Sequence, residues 1–345
     1  MLALSLFINN YKTMKILLGN NTFSILAGSE TYMLTLATEL KKLGHEVTAY
    51  SPNLGFIATK LEQIGVKCIN TLVGSQKAQV EPFNPILVEP EDDFDVAICA
   101  HYEITRTIRQ KFPNLPIIAI VHGIIHSNPA TGEIYPEHPV TDMFINQYVA
   151  VSEEIKEKLE NEYGIESIVI RNLFDLEKFK KEGSLPKAPK RIMVNSNYWG
   201  VEDQINQIIK EVADHYKAEF VGVGANFAST YEVDKIVKTA DVVFGMGRSV
   251  MEGVCAGKIG VVHGRWGTGG VVNPESYDTL KLTNFSGRPW TGDGRFLSPK
   301  EIISQIDASW NNKTINEMQK IIKKEHDSKV VTKKFLDIAN KLINN

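Results

Sequence analysis

Residues 240–262, ADVVFGMGRSVMEGVCAGKIGVV, contain the pattern that decides the predicted fold. The mainly apolar run 240–244 predicts a buried strand, and Gly245 and Gly247 allow a tight turn directly after it. Apolar residues at helical spacing then predict a helix with Ser249 as its N-cap, followed by a second strand. This order of strand, turn, helix and strand is typical of a parallel sheet.

The glycine turn is a candidate anion site. Its backbone N–H groups and the positive end of the helix dipole would point at a ligand above the sheet, an arrangement that suits a phosphate. Arg248 lies in the turn, and Glu252 lies one helical turn further on, where a carboxylate can accept hydrogen bonds from a ribose diol. An ordinary crossover with a solvated arginine and glutamate is the alternative.

Length and composition exclude several classes of protein. The 345 residues fit two domains of roughly 150 residues each. No run approaches the ~18 apolar residues that cross a bilayer. The net charge of −3 argues against a nucleic-acid partner. The three cysteines lie far apart in apolar segments, which predicts a reducing compartment without disulfides or zinc: Cys68, Cys99 and Cys255.

Strand and helix patterns alternate along the first half of the chain. The first strand is predicted at 15–18, and Ser29 is the predicted N-cap of the helix that follows. Such alternation predicts a parallel sheet with helices on both faces, which binds ligands at the carboxyl ends of its strands. His101 and His122 are expected there, and a purely structural role is the alternative for His122.

The alternation restarts after the proline-rich segment SLPKAPK at 184–190, which is predicted to link two α/β domains. Beyond Gly264 the chain is predicted to be rich in loops before its final helices. The division is then an extension at 1–13, a first domain at 14–185, a second domain at 186–325 and a last helix within 326–345.

The C-terminal region has two distinct faces. From residue 313 onward eight lysines stand against four acidic residues. A solvated helix face is the simple reading, and contact with an anionic membrane surface is the alternative. The last helix also has an apolar stripe that must be buried: Val331, Phe335, Ile338, Ala339 and Leu342.

Four segments resemble the GT-B glycosyltransferases of family 4. They are AGSETYMLTLATELKKLGHEVTAY at 27–50, VAVSEEIKEKL at 149–159, VIRNLFDLEKF at 169–179 and GMGRSVMEGVCAG at 245–257. The resemblance implies two facing Rossmann-like domains, a nucleotide sugar in the cleft, retention of configuration and no metal or other cofactor. It also implies that the last helix crosses back, so we expect Phe335 and Leu342 to bury against residues preceding 185. Residues 271–288 resemble a subgroup with a similar Asn-Phe-Ser-Gly-Arg segment.

The resemblance assigns roles to individual residues. It implies catalytic roles for His122 near the donor sugar, for Arg248 at the leaving diphosphate and for Glu252 at the ribose. The residues implied in donor binding are Gly28, Ser29, Asn197, Gly247, Arg248, Ser249, Val250 and Glu252.

Two departures mark a divergent subgroup. Phe244 occupies the position of the first glutamate in the family's Glu-x7-Glu motif, where that side chain touches the donor sugar. The segment NSNYWGVED at 195–203 contains no arginine or lysine, although many members hold the diphosphate with such a pair there. Arg248 is the natural substitute, since guanidinium binds phosphate in a bidentate manner.

The sequence therefore predicts a cytoplasmic glycosyltransferase that moves a sugar from a nucleotide-diphosphate donor to an acceptor hydroxyl with retention, in glycan or cell-surface polysaccharide synthesis. The acceptor would be a glycan, a lipid-linked molecule or a small molecule, and peripheral contact with the cytoplasmic membrane face is a further expectation. A GT-B nucleotide-sugar epimerase and a nucleotide-sugar-binding protein without turnover are the alternatives.

Overall fold

The computed structural model describes residues 12–71, 93–123, 125–127, 134–136, 138–197, 204–224, 227, 230, 232–291 and 294–344. The predicted extension at 1–13 lies almost wholly outside these residues. The described chain forms two α/β domains, each built on its own sheet.

The first domain is a seven-stranded parallel sheet with helices packed against it. Its strands are β1 Lys15–Gly19, β2 Glu46–Ser51, β3 Lys67–Asn70, β4 Val96–Ala100, β5 Ile117–Val121, β8 Gln147–Ala150 and β9 Ser167–Val169, and a separate antiparallel pair is formed by β6 Ile125–Ser127 and β7 Ile134–Pro136. The helices are α1 Gly28–Lys42, α2 Phe56–Gln63, α3 Tyr102–Lys111 and α4 Glu153–Tyr163. The strand order β3-β2-β1-β4-β5-β8-β9 puts β1, β4 and β5 at the centre. Every residue of β4 and β5 is buried, as expected where both faces of a sheet are covered.

The second domain is a five-stranded sheet in the order β11-β10-β12-β13-β14. These strands are β10 Arg191–Asn195, β11 Glu219–Val223, β12 Val242–Gly245, β13 Ile259–Gly264 and β14 Gly267–Val271. Its helices are α5 Gln204–Tyr216, α6 Val233–Thr239, α7 Arg248–Cys255, α8 Tyr277–Leu280, α9 Pro299–Ser309 and α10 Asn312–Glu325, and the last helix of the chain, α11 Ser328–Asn344, follows them.

Strand β14 departs from the prediction of a loop beyond Gly264. Its sequence, GTGGV, has three glycines in five residues, and glycine weakens the local preference for a strand. The strand forms because it pairs antiparallel with β13, from which only Arg265 and Trp266 separate it, so the two strands make a β-hairpin.

The chain crosses between the domains twice, at adjacent points. Leu173 belongs to the core of the first domain, whereas Phe174 and Phe179 are buried in a core of the second. The first crossing therefore precedes the predicted boundary at 185/186. On the return, the N–H of Phe174 donates to the carbonyl of His326 at 2.8 Å, and the N–H of Ser328 donates to the carbonyl of Phe174 at 2.9 Å. The two crossing segments thus hold each other in register.

The prediction that the last helix crosses back is confirmed. In α11, Val331, Phe335, Leu336 and Ala339 are buried in the core of the first domain. Leu342 is only partly buried there, because it lies near the end of the helix, and the expectation for this residue holds in part.

The eight C-terminal lysines are all exposed, four on α10 and four on α11. None of the helices formed by the described residues is long and apolar enough to cross a membrane. Contact of these lysines with a membrane surface stays a prediction.

Candidate active site

Two helix N-termini meet between the domains. Helix α1 begins at Gly28 with Ala27 as its N-cap, and α7 begins at Arg248 with Gly247 as its N-cap. Alanine and glycine have no side-chain oxygen, so neither N-cap residue can accept a hydrogen bond from the first turn of its helix. Both predicted serine caps are wrong, because Ser29 and Ser249 are already the second residues of their helices. At α7 the chain turns earlier, through the positive φ of 52° at Gly247.

These two N-termini face each other across the cleft. A Cβ atom built on Gly28 would lie 3.8 Å from Cδ of Arg248, so the first residues of α1 and α7 are close neighbours. A second contact across the cleft joins the side-chain amide of Asn197, which donates to the carbonyl of Leu26 at 3.4 Å. Gly28, Asn197 and Arg248, all predicted as donor-binding residues, thus lie along one interdomain surface.

Arg248 occupies the centre of this surface. Its Nη1 donates to the carbonyl of Leu173 at 2.8 Å, and its Cζ lies 4.6 Å from the centroid of the Phe174 ring. Its Nη2 is 3.8 Å from Oε1 of Glu252, and its side chain is only 10% exposed. This burial lowers the pKa of Arg248, although the Glu252 charge opposes the shift. Among the described residues its Nε has no hydrogen-bond partner.

Glu252 lies one turn into α7, on the face of the helix that Arg248 shares. Its Oε2 accepts a hydrogen bond from Nδ2 of Asn195, at the carboxyl end of β10, at 3.4 Å. Burial raises the pKa of Glu252, and the charge of Arg248 opposes that rise. Glu252 therefore lies at the strand ends of the second sheet, and its role at the ribose stays a prediction.

The first domain contributes a wall of polar aromatic groups. His122 directly follows β5, and its ring packs edge-on against Tyr32 with 4.8 Å between centroids. His101, after β4, lies 6.1 Å from His122 between ring centroids, and its Nε2 is 3.0 Å from Oγ of Ser29. His101 thus contacts both predicted residues, Ser29 through a hydrogen bond and His122 through its ring. The sequence predicted His101 at the end of a strand but assigned it no role.

Glu30 is a further buried group that the sequence did not single out. Its Oε1 accepts a hydrogen bond from Nδ2 of Asn20 at 3.4 Å. Burial raises the pKa of Glu30, while hydrogen bonds and the nearby His101 oppose the rise. Glu30 is thus a buried carboxyl group in the first turn of α1, near His101.

The Asn-Phe-Ser-Gly-Arg segment forms a hydrogen bond with the glycine turn. The N–H of Gly247 donates to the carbonyl of Phe285 at 2.8 Å. Asn284 accepts a hydrogen bond from Asn172 at 2.8 Å between the side chains, and Arg288 forms two hydrogen bonds of 2.7 Å with Glu154 of α4. The segment therefore connects the turn to the first domain.

Not every predicted residue presents its side chain to the cleft. Val250 is fully buried in a core of the second domain, which leaves only its backbone for a ligand. Phe244 is also fully buried and packs edge-on against His263, 6.1 Å away between centroids. The part of segment 195–203 that follows Asn197 lies outside the described residues. Within the described chain, no group of three or more His, Cys, Asp or Glu side chains could hold a metal.

Comparison with known proteins identifies the fold and the class of enzyme. Residues 26–178 match the family model described as Glycosyltransferase Family 4. No curated protein sequence matches the chain. The structure is similar to a glycosyltransferase from Rickettsia africae, with 13% identity and a TM-score of 0.63 over 97% of this chain and 100% of that one.

Two further solved structures share this architecture. Sucrose-phosphate synthase from Thermosynechococcus elongatus is 10% identical, with a TM-score of 0.60 over 96% of this chain and 99% of that one. HepE from Anabaena, solved in complex with UDP, is 13% identical, with a TM-score of 0.58 over 95% of this chain and 100% of that one. At these identities the structural likeness establishes the shared fold, two facing Rossmann-like domains. With the family match at 26–178, it identifies the chain as a glycosyltransferase of the GT-B fold that resembles family 4.

Proposed function

We propose that the protein transfers a sugar from a nucleoside-diphosphate donor to an acceptor hydroxyl with retention of configuration, and that the diphosphate binds where α1 and α7 begin. The observation that carries the proposal is the meeting of two helix N-termini without side-chain caps at Arg248. Each N-terminus is equivalent to about half a positive charge, and its first turn contains N–H groups without a partner inside the helix, although that of Ser249 already donates to the carbonyl of Met246 at 3.0 Å. Together with a guanidinium they form a site for a multiply charged anion.

Burial makes these donors effective. Charge that develops on the leaving diphosphate is stabilised most strongly by fixed donors in surroundings that exclude water. Arg248 is 10% exposed, and the first turn of α7 contains no acidic residue that would repel a phosphate, whereas the first turn of α1 contains Glu30, whose pKa burial raises. Arg248 is then the main residue of the second domain that stabilises the leaving group, in place of the cationic pair missing from 195–203.

The other residues take positions around this diphosphate. Glu252 would hold the ribose hydroxyls, and Asn195 would orient its carboxylate through the existing hydrogen bond. His122, at the end of β5, would contact the donor sugar from the first domain, whose polar wall faces the acceptor. No residue is assigned as a nucleophile, and the proposed catalysis rests on stabilising the leaving group. No metal is required.

The donor is proposed to be a nucleotide sugar, and UDP is the first nucleotide to test because the HepE structure contains it. The acceptor is proposed to be a hydroxyl of a glycan, a lipid-linked molecule or a small molecule. The route served would be glycan or cell-surface polysaccharide synthesis.

Proton NMR of the donor tests this proposal. The protein is incubated with an α-configured UDP-sugar, first alone and then with sugar acceptors, and the anomeric signals are followed. Release of UDP with an α-configured product supports the proposal, and a β-configured product contradicts retention. A new UDP-sugar isomer without release of UDP would identify an epimerase instead.

Binding without turnover is the second candidate, and Phe244 is the observation that favours it. A buried phenyl ring replaces the carboxylate that the family places against the donor sugar. For such a protein, calorimetry would detect the nucleotide sugar while NMR would show no release of UDP.

A further inference from the structure

Tyr32 is a buried aromatic residue directly behind the proposed diphosphate site. It lies four residues after Gly28 on α1, so the two residues share one face of the helix. Its ring packs edge-on against His122 and, on the side of the C-terminal helix, against Phe335 with 6.4 Å between centroids. The ring is therefore held in place by both the first domain and α11.

The hydroxyl group of Tyr32 is unusual for a buried tyrosine. The side chain is fully buried, yet its Oη has no hydrogen-bond partner among the described residues. Buried hydroxyl groups nearly always have a partner, because an unsatisfied one costs free energy. The Nε of Arg248 is also buried and has no hydrogen-bond partner among the described residues. Arg248 lies close enough to Tyr32 for its charge to act on that side chain. Two buried donors in this region thus lack a hydrogen-bond acceptor among the described residues.

The chemistry of this place selects the acceptor. Burial raises the pKa of Tyr32, so the phenol stays protonated and can donate. The guanidinium Nε–H and the free N–H groups of the two helix N-termini are also donors. An oxygen of a diphosphate accepts from all of them, whereas a hydroxyl or an amide would bring donors of its own.

We propose that the hydroxyl group of Tyr32 donates a hydrogen bond to the diphosphate of the donor, beside Nε of Arg248. Tyr32 is thus a ligand-binding residue that the motifs of the sequence do not reveal. The inference rests on the proposed function, because it assumes that a nucleoside diphosphate binds between α1 and α7. It also assigns a role to α11, whose Phe335 supports the ring.

The substitution Tyr32→Phe tests this assignment, with Tyr148→Phe as the matched control. Tyr148 is also buried in the first domain, but its hydroxyl group donates to the carbonyl of Val140. The two variants remove the same atom from a site with and from a site without a partner in the protein. Melting temperature without ligand and affinity for UDP, GDP and ADP by calorimetry are measured for both variants and the wild type.

The two variants should behave in opposite ways. Tyr32→Phe should melt at the same temperature as the wild type or higher, because it removes an unsatisfied buried group, and should bind the preferred diphosphate about tenfold more weakly or worse. Tyr148→Phe should melt lower and bind the diphosphate with unchanged affinity.

Unchanged affinity in Tyr32→Phe would overturn the inference, whichever way its melting temperature moves. If the wild type binds none of the three diphosphates, the proposed function fails together with it. If the wild type binds one of them and Tyr32→Phe binds it equally well, only the role of Tyr32 is wrong.

Discussion

Replacing Phe335 by alanine should destabilise the first domain, although Phe335 lies near the end of the chain. Its ring is fully buried in the core of that domain and packs against Tyr32. The α11 helix reaches this core only after the chain has returned from the second domain at His326–Ser328. The substitution therefore tests whether the last helix is part of the first domain in energetic terms.

The magnitude follows from burial. Truncating a fully buried phenylalanine to alanine costs about 3–5 kcal/mol, from lost transfer free energy and from the cavity that remains. Because α11 is terminal and can shift to fill part of the cavity, we expect about 3 kcal/mol. That loss corresponds to roughly a hundredfold change in the local unfolding equilibrium.

Native-state hydrogen exchange measures this change segment by segment. Protection should fall in α1 and in the central strands of the first sheet, and it should persist in β10–β13. Ile343→Ala is the control on the same helix: that side chain is 38% exposed, and its loss should change stability by no more than about 0.5 kcal/mol. Equal effects of the two variants, or a loss of protection only in the second domain, would refute the reasoning.

Three other perturbations probe the site and the crossing. Arg248→Ala should lower turnover by ~10²-fold or more, because it removes a group that stabilises the leaving diphosphate, whereas Arg265→Ala, on the exposed surface, should not. The turnover of both variants is measured as steady-state release of UDP. If Arg248→Ala turns over as fast as the wild type, Arg248 does not stabilise the leaving diphosphate. Glu252→Gln should weaken nucleotide binding by roughly 1–3 kcal/mol, since a neutral acceptor replaces a charged one at the ribose. If calorimetry shows that Glu252→Gln binds the nucleotide as tightly as the wild type, Glu252 has only a structural role. Acidification should destabilise the crossing, because burial lowers the pKa of His326 from its ordinary value of 6.5 to about 4. The unfolded state then takes up a proton first as the pH falls, so stability present above pH 6.5 is lost progressively down to pH 4, by about 3 kcal/mol. Urea unfolding across that range should show this loss in the wild type and in His215→Gln, and the loss should be smaller by about 3 kcal/mol in His326→Gln, where only other groups such as His45 contribute.

Much of the fold could be predicted because its elements have strong local periods. The strand, turn, helix and strand at 240–262 appear in the structure as predicted apart from the N-cap of the helix, and the stripe on α11 is buried except for its partly buried members Ile338 and Leu342. The first crossing could not be located, because the proline-rich segment looks more like a linker than Phe174 does. Which of the two domain cores an aromatic residue packs into depends on the packing of both domains. The residues around it in the sequence do not determine that choice.

The sequence could predict those features of the site that lie on a single helix. Arg248 and Glu252 share a face of α7 because they are four residues apart, and the glycine turn places both at the strand ends. The partners of Arg248 could not be found in this way, since Leu173 lies 75 residues away in the chain. Tyr32 did leave a signal, its spacing of four residues from Gly28, but its meaning depends on the approach of Arg248 from the second domain.

The helix starts show a further limit of local sequence. Serine is a good N-cap in general, and both predicted caps followed from that preference. In the structure each helix starts before its serine, and the absence of a capping oxygen at Ala27 and Gly247 is the feature that makes the cleft suitable for an anion. The local rule failed at the functional site, where a ligand is proposed to replace the cap.

Calorimetric titration with UDP, GDP and ADP, and with the matching nucleosides, tests the central claim most directly. If the diphosphate binds between the N-termini of α1 and α7, at least one diphosphate should bind the wild type ~10²-fold more tightly than its nucleoside, and Arg248→Ala should abolish most of that difference. If no diphosphate binds, or if a nucleoside binds as tightly as its diphosphate, the two helix N-termini and Arg248 do not form a diphosphate site.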